Sequence, residues 1–177
     1  MSADLVDILA DAASRRFFGK YRGLVVDNQD STSRARLQVK VPAVMGDVPI
    51  WALPCVPYAG DSVGFFALPD VGTAVWIEFE AGNIDYPIWV GCFWSDGQIA
   101  TADAAPSIKF LKTGKFTLRI DDDSGEVSLE VSSGSSLKLT TLEFTANGKS
   151  ITHQTDGAKI ALDAVSVDVN NGAFKVT

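Results

Sequence analysis

One histidine, two cysteines and scattered carboxylates set the chemistry open to this chain. The single histidine, His153, leaves no convincing Ser/His/Asp arrangement, which needs a base held against a nucleophile. Cys55 and Cys92 lack metal-ligand spacing. Both fall in apparent strands, where free thiols behave as small buried hydrophobes, and nothing demands a disulfide between them. Glu78 and Glu80 share a strand face, and two neighbouring carboxylates could serve as a glycosidase pair. They read instead as the solvated face opposite Ile77 and Phe79. Asp121 to Glu126 (DDDSGE) has the composition of a calcium loop without EF-hand spacing, and reads as a polar β-turn. Arg15, Arg16, Lys20, Arg22, Arg34 and Arg36 could line a nucleic-acid face. Such faces interleave exposed aromatics with the cations, and the aromatics here read as structural. The formal net charge of −7 also disfavours a phosphate backbone as partner. The expectation is a protein that is not an enzyme, needs no cofactor and does not bind nucleic acid.

The elements that carry these residues are mostly β. The chain of 177 residues, 46% hydrophobic and 21% charged, has an ordinary globular composition. Its organising stretch is Val75 to Trp94, two β-prone runs around a turn of Gly82, Asn83, Asp85 and Pro87. Trp76, Phe79, Tyr86, Trp89, Phe93 and Trp94 lie there, and large rings would anchor the core of a small barrel. Before it, Tyr21 to Asp27 reads as a strand. Ala35 to Val41 alternates, with Leu37, Val39 and Val41 on one face and Arg36, Gln38 and Lys40 on the other. Ile50 to Cys55 and Gly64 to Ala67 are shorter apolar runs. About five short strands cornered by Gly and Pro suit an OB-type barrel. Seven basic residues lie between Arg15 and Lys40 and none follows until Lys109, which predicts a basic rim beside the first strands.

Ser2 to Ala13 reads as an amphipathic helix, with Leu5, Ile8, Leu9 and Ala12 opposite Asp4, Asp7 and Asp11. This amino terminus has no basic n-region or continuous apolar run, so it is not expected to be a signal peptide. No stretch approaches the roughly 20 apolar residues of a membrane span, and cytoplasmic synthesis and assembly are expected. Ser95 to Ser107 is small, polar and unpatterned, and reads as a linker. Beyond it tryptophan, tyrosine and cysteine vanish. Brief alternating runs follow at Phe116/Leu118/Ile120, Val127/Leu129/Val131, Leu137/Leu139, Ile160/Leu162, Val165/Val167/Val169 and Phe174/Val176. Each offers one thin apolar stripe that it cannot bury alone. Either one chain coils into a solenoid or several chains wrap a common axis, and runs this short favour an intertwined trimer. His153 shares strand parity with Ile151, so an inward position would bring three imidazoles to that axis, able to hold a metal or an anion. An outward or merely polar position is the preferred reading.

Phe18 to Trp94 resembles the OB-fold domain of central spike proteins of contractile phage baseplates, type VI secretion and extracellular injection systems. The likeness rests on Gly19-Lys20-Tyr21-Arg22-Gly23, Asp27, Arg36 to Pro42, Trp51-Ala52, Pro54 and Pro57-Tyr58-Ala59-Gly60. It continues through Gly64-Phe65-Phe66, Pro69, Val71-Gly72, Val75-Trp76, Glu78-Phe79, Asp85-Tyr86-Pro87 and Trp89-Val90-Gly91. The resemblance implies an all-β protein: an amino-terminal helix (1–17), an OB-fold domain (18–95), a linker (96–107) and a trimeric β-helix needle (108–177). It implies a homotrimer whose barrels sit under a baseplate hub, with Arg15, Arg16, Lys20, Arg22, Arg34 and Arg36 as hub contacts. The needle would pierce the target envelope, in transient contact with its membrane. The end, Phe174-Lys175-Val176-Thr177, still in strand pattern, would be a platform for a PAAR-type tip protein. Some spike tips bind iron through a His-x-His pair, which Gln154 and Thr155 break here, and the short interval from Trp94 to Ile108 has no room for a lysozyme domain. The competing expectation is an OB-fold module recognising an oligosaccharide or nucleic acid, with an oligomerising β-tail.

Overall fold

The computed structural model describes residues 6, 7, 10 and 16–177. The expected helix from Ser2 to Ala13 and the side chain of Arg15 lie outside the described residues, apart from Val6, Asp7 and Ala10, which are helical. The chain divides into two units, Met1–Gln98 and Ile99–Thr177.

In the first unit, alternation builds a closed barrel. Strands β1 (Tyr21–Asp27), β2 (Leu37–Lys40) and β3 (Pro49–Pro54) form a meander. A short ribbon of β4 (Ala59–Gly60) and β5 (Val63–Gly64) follows, then β6 (Ala74–Phe79) and β7 (Pro87–Cys92). The barrel order is β1-β2-β3-β7-β6, closed by β6 on β1, with β3 and β7 parallel. Five strands in this Greek-key order are an OB-fold. Inward positions follow the period of two: Leu37, Val39, Val41, Ala52, Val75 and Ile77 are fully buried, and Val25, Phe79 and Trp89 complete the core. Each fully buried aliphatic side chain contributes about 1.5–3 kcal/mol relative to exposure.

Gly23 lets the barrel close. A Cβ there would lie 2.9 Å from Ile77 Cγ1 and 3.2 Å from the Lys40 carbonyl oxygen, so β1 can run between its two neighbours only without a side chain.

Several expectations are corrected. The core is mainly aliphatic: of the six rings in Val75 to Trp94 only Phe79 and Trp89 are buried, while Tyr86 and Trp94 are exposed. Trp76 and Phe93 pair on the barrel's outer side, centroids 4.6 Å apart. Gly64 to Ala67 is no barrel strand, because the polypeptide leaves the barrel there as the β4–β5 ribbon. Cys55 and Cys92 are free but exposed rather than buried, and Cys55 follows β3 rather than lying in it. Glu80 starts a 3-10 turn (Glu80–Gly82) instead of sharing a strand face with Glu78.

The second unit is two antiparallel meanders. One runs through β8 (Ile108–Lys112), β9 (Phe116–Asp121), β10 (Glu126–Val131), β11 (Ser136–Leu139) and β12 (Phe144–Asn147). The other holds β13 (Ser150–Gln154), β14 (Lys159–Asp163), β15 (Val167–Val169) and β16 (Phe174–Val176). Within each meander consecutive strands pair as antiparallel neighbours, the one break falling between β12 and β13, which rules out the one-chain solenoid. Its parallel rungs need long crossovers, whereas the short Gly and Asx connections here permit only hairpins. Val165 falls in a turn, outside β15.

Candidate functional site

The register of the two meanders sorts the side chains of β9 to β16 into one apolar and one polar face each. Strand β8 departs from it, with Lys109 beside Leu111 on the apolar face, opposite Ile120, and Ile108 and Phe110 on the other face, opposite Asp121 and Arg119. In the first meander, Phe116 faces Val131, Leu118 faces Leu111 and Leu129, and Ile120 faces Val127. Leu137 and Leu139 continue the row opposite Leu129 and Val127, and Phe144 ends it opposite Leu139. The reverse face carries Thr117, Arg119, Ser128, Lys138 and Thr145. In the single chain the normal order of burial is inverted. Leu111, Leu137, Leu139 and Phe144 are exposed, while Ser128 on the polar face is only 6% exposed. A contiguous apolar face left open to water marks an interaction surface.

The second meander repeats the pattern, with Ile151 opposite Leu162, Ile160 opposite Val169, Leu162 opposite Val167, and Val167 and Val169 opposite Val176 and Phe174. His153 lies opposite Ile160. Cross-strand partners point to the same side of a sheet, so its imidazole is the one ionisable side chain among the strand positions of this apolar face. Phe174 and Val176 are exposed there too, while Lys175 pairs with Asp168 on the polar side. Among the described residues no group of three or more His, Cys, Asp or Glu side chains could hold a metal ion within one chain.

Carboxylates in this unit hold turns. Asp121 accepts hydrogen bonds from the backbone N–H of Asp123 and Ser124, and Asp163 from those of Val165 and Ser166. These bonds hold both carboxyls below the ordinary carboxylate range. The DDDSGE stretch is therefore the polar turn the sequence predicts.

On the barrel, the basic residues are largely engaged within the chain. Arg16 donates to the Ala81 carbonyl at 2.7 Å, and Lys20 pairs with Glu78. Arg22 lies over the Trp76 and Phe93 rings, 5.1 and 4.8 Å from their centroids. Arg36 donates through Nε and Nη2 to Asp30 Oδ1 at 3.1 and 2.7 Å and lies over Trp51. Among the described residues Arg34 reaches only Thr32 Oγ1 through its side chain, at 3.3 Å. The five members of the basic set that the structure describes thus each have a partner of their own within the chain.

Sequence reading missed Asp30. Its side chain is 3% exposed and organises the β1–β2 loop. It accepts from the backbone N–H of Thr32, Arg34 and Arg36 and from the Thr32 hydroxyl, besides the Arg36 guanidinium. That guanidinium, first among these donors, holds the carboxyl far below its usual range. Ser33 and Ala35 adopt left-handed φ values of 54° and 57° to wrap the loop around it, and the Ala35 carbonyl accepts from Trp89 Nε1 at 3.2 Å. The only signal available was the Asp-x-Thr spacing with an arginine six residues after the aspartate.

Residues 21–94 match the family model described as the type VI secretion system/phage-baseplate injector OB domain. Residues 107–175 match the phage baseplate V C-terminal trimerisation domain. No curated protein matches the chain. The first match spans the closed barrel and the second the pair of one-sided meanders, and both are structural baseplate domains. The chain therefore belongs to the family of phage-baseplate and type VI secretion spike proteins, with a structural role in a phage or secretion-system particle.

Proposed function

We propose that this chain is the homotrimeric spike at the centre of a contractile injection baseplate, assembled in the cytoplasm. Residues 18–95 are the hub-anchoring barrel, 96–107 the linker and 108–177 the needle driven through the target envelope on contraction. The observation that carries this reading is the inverted burial of the meanders. Three copies that turn those apolar faces onto a common axis bury what one chain leaves wet, and present Thr, Ser, Lys and Asp outward.

In such a needle few strand edges remain open, and neighbouring strands must separate together, which suits axial load. Hub contact falls to the barrel's cationic side, where Arg22 over its two rings and Arg34 are the best-presented groups. Arg36 serves instead to hold the Asp30 loop. His153 is carried to the axis, where three imidazoles form a ring able to hold a divalent metal or an anion. Phe174 to Thr177 lie at the last strand, whose outer edge is unpaired among the described residues, and supply the platform for a PAAR-type tip.

The test is mass in solution by light scattering, with an unboiled detergent gel beside it. The expected result is about 57 kDa, three times 18.9 kDa, surviving detergent. A clean monomer removes the trimeric needle.

A further inference from the structure

Between β3 and β6 the chain leaves the barrel as an arm, Val56 to Leu68, built on the β4–β5 ribbon. Its backbone closes through Ala59 opposite Gly64 and Phe65 N–H donating to the Tyr58 carbonyl at 2.9 Å. Val56 and Leu68 at its base pack on the barrel core. Further out, Tyr58, Val63, Phe65 and Phe66 are all exposed, Phe66 by 75%. Asp61 is the arm's single charge. A two-stranded ribbon is marginal alone, and four bulky apolar side chains in water make it worse. A second apolar surface on the same unit is a groove of about 520 Å³ where β6 begins and β7 ends. Val71, Thr73, Cys92, Phe93 and Trp94 line it, with Val71 and Trp94 exposed by 59% and 66%.

We infer that the arm of one copy seats in this groove on the next copy, so that the barrels form a closed ring of their own. The inference rests on the trimeric reading above and extends it to the first unit. A trimerisation domain follows the barrel in the same chain, so two further barrels are tethered nearby. Fifteen residues separate Cys92 from Ile108, a reach of at most about 50 Å. Over such a tether the effective concentration is in the millimolar range, enough to form a contact too weak to join free barrels. Threefold symmetry requires a head-to-tail interface between two different patches, and arm and groove are two different apolar patches. The pairing needs no charge match: arm and groove contribute Asp61 alone.

The native Cys92 thiol in the groove provides the probe. Full-length Cys55→Ser/Phe66→Cys protein is first weighed by light scattering, then treated with a short bismaleimide and boiled in detergent. A head-to-tail ring links arm to groove around the circle and gives covalent trimer as the main product, since the tethered thiols meet at millimolar concentration; the Cys55→Ser control, with one thiol per chain, stops at dimer. Val63→Cys in place of Phe66→Cys gives the same product if position 66 proves unsuitable. Trimeric mass with only monomer or dimer on the gel from both variants overturns the arm-to-groove contact and leaves the needle standing. Monomeric mass before cross-linking overturns the trimeric reading itself, and the ring with it.

Discussion

Replacing Leu139 by alanine separates a buried needle face from a solvent one. Leu139 sits on β11 between Val127 and Phe144 and is 48% exposed in the single chain. Full burial of a leucine contributes about 1.5–3 kcal/mol, so the half that assembly can still bury is worth about 1 kcal/mol. The cavity left by truncation raises the loss to about 1–2 kcal/mol per chain. Three chains lose it together, so the trimer loses about 3–6 kcal/mol, a factor of roughly 10² to 10⁴ in the assembly constant. If the face met water in the native protein, the same truncation would stay within about 0.5 kcal/mol. The assay is the guanidinium dependence of trimer dissociation, followed by light scattering at several protein concentrations. Lys138→Ala is the matched control: its neighbour position points to the polar face, and its ion pair with Glu126 at 2.6 Å is of the exposed kind worth about 0–1 kcal/mol. Equal midpoints for Leu139→Ala and Lys138→Ala would refute the burial of this face.

Three further outcomes are expected. Gly23→Ala forces a methyl against Ile77 and the Lys40 carbonyl; overpacking of this kind costs about 1–3 kcal/mol, lowering the barrel's melting temperature while the mass stays trimeric. Asp30→Asn removes the charge that the loop donors surround. Because the Asp30 carboxyl titrates below its ordinary value of 3.8, its contribution is complete above that pH and is lost only as pH falls further. Wild type and Asp30→Asn should therefore differ in barrel stability at neutral pH and converge in strong acid, and a constant gap across the acid range would contradict the role given to Asp30. With three imidazoles at one level of the axis, cobalt titration should show uptake of about one ion per three chains, abolished by His153→Val; equal uptake by both proteins would place His153 elsewhere.

The barrel was legible because its strands obey a rule contained in one chain. Leu37, Val39 and Val41 alternate, and the structure buries all three. The first three β-runs and the hairpin from Val75 fall close to where period-two reading sets them. The failures share one cause: an apolar side chain in a sequence does not say which molecule will cover it. Trp94, Tyr86 and the run at Gly64 were read as core because they are apolar, yet the single chain leaves them exposed. The same ambiguity made Cys55 and Cys92 look buried. In the second unit this blindness was absent, because each stripe was too thin for a core and hence pointed outside the chain. Asp30 was invisible for a different reason: its partners are mostly backbone N–H groups, which every residue carries. Only the loop's left-handed turns at Ser33 and Ala35 bring them to one carboxylate.

The arm and the linker lie wholly within Val41 to Ile108, where the chain has neither lysine nor arginine. Trypsin-like proteases cut after those two residues, so the segments most open to attack offer them no cleavable bond. Loop tips and connectors are ordinarily the first places to be nicked. In a particle exposed to proteases, that composition keeps barrel and trimerisation domain covalently joined under tryptic attack. It also means that tryptic digestion will report on the amino-terminal strands and the needle turns, while a chymotrypsin-like enzyme is needed to probe the aromatic arm.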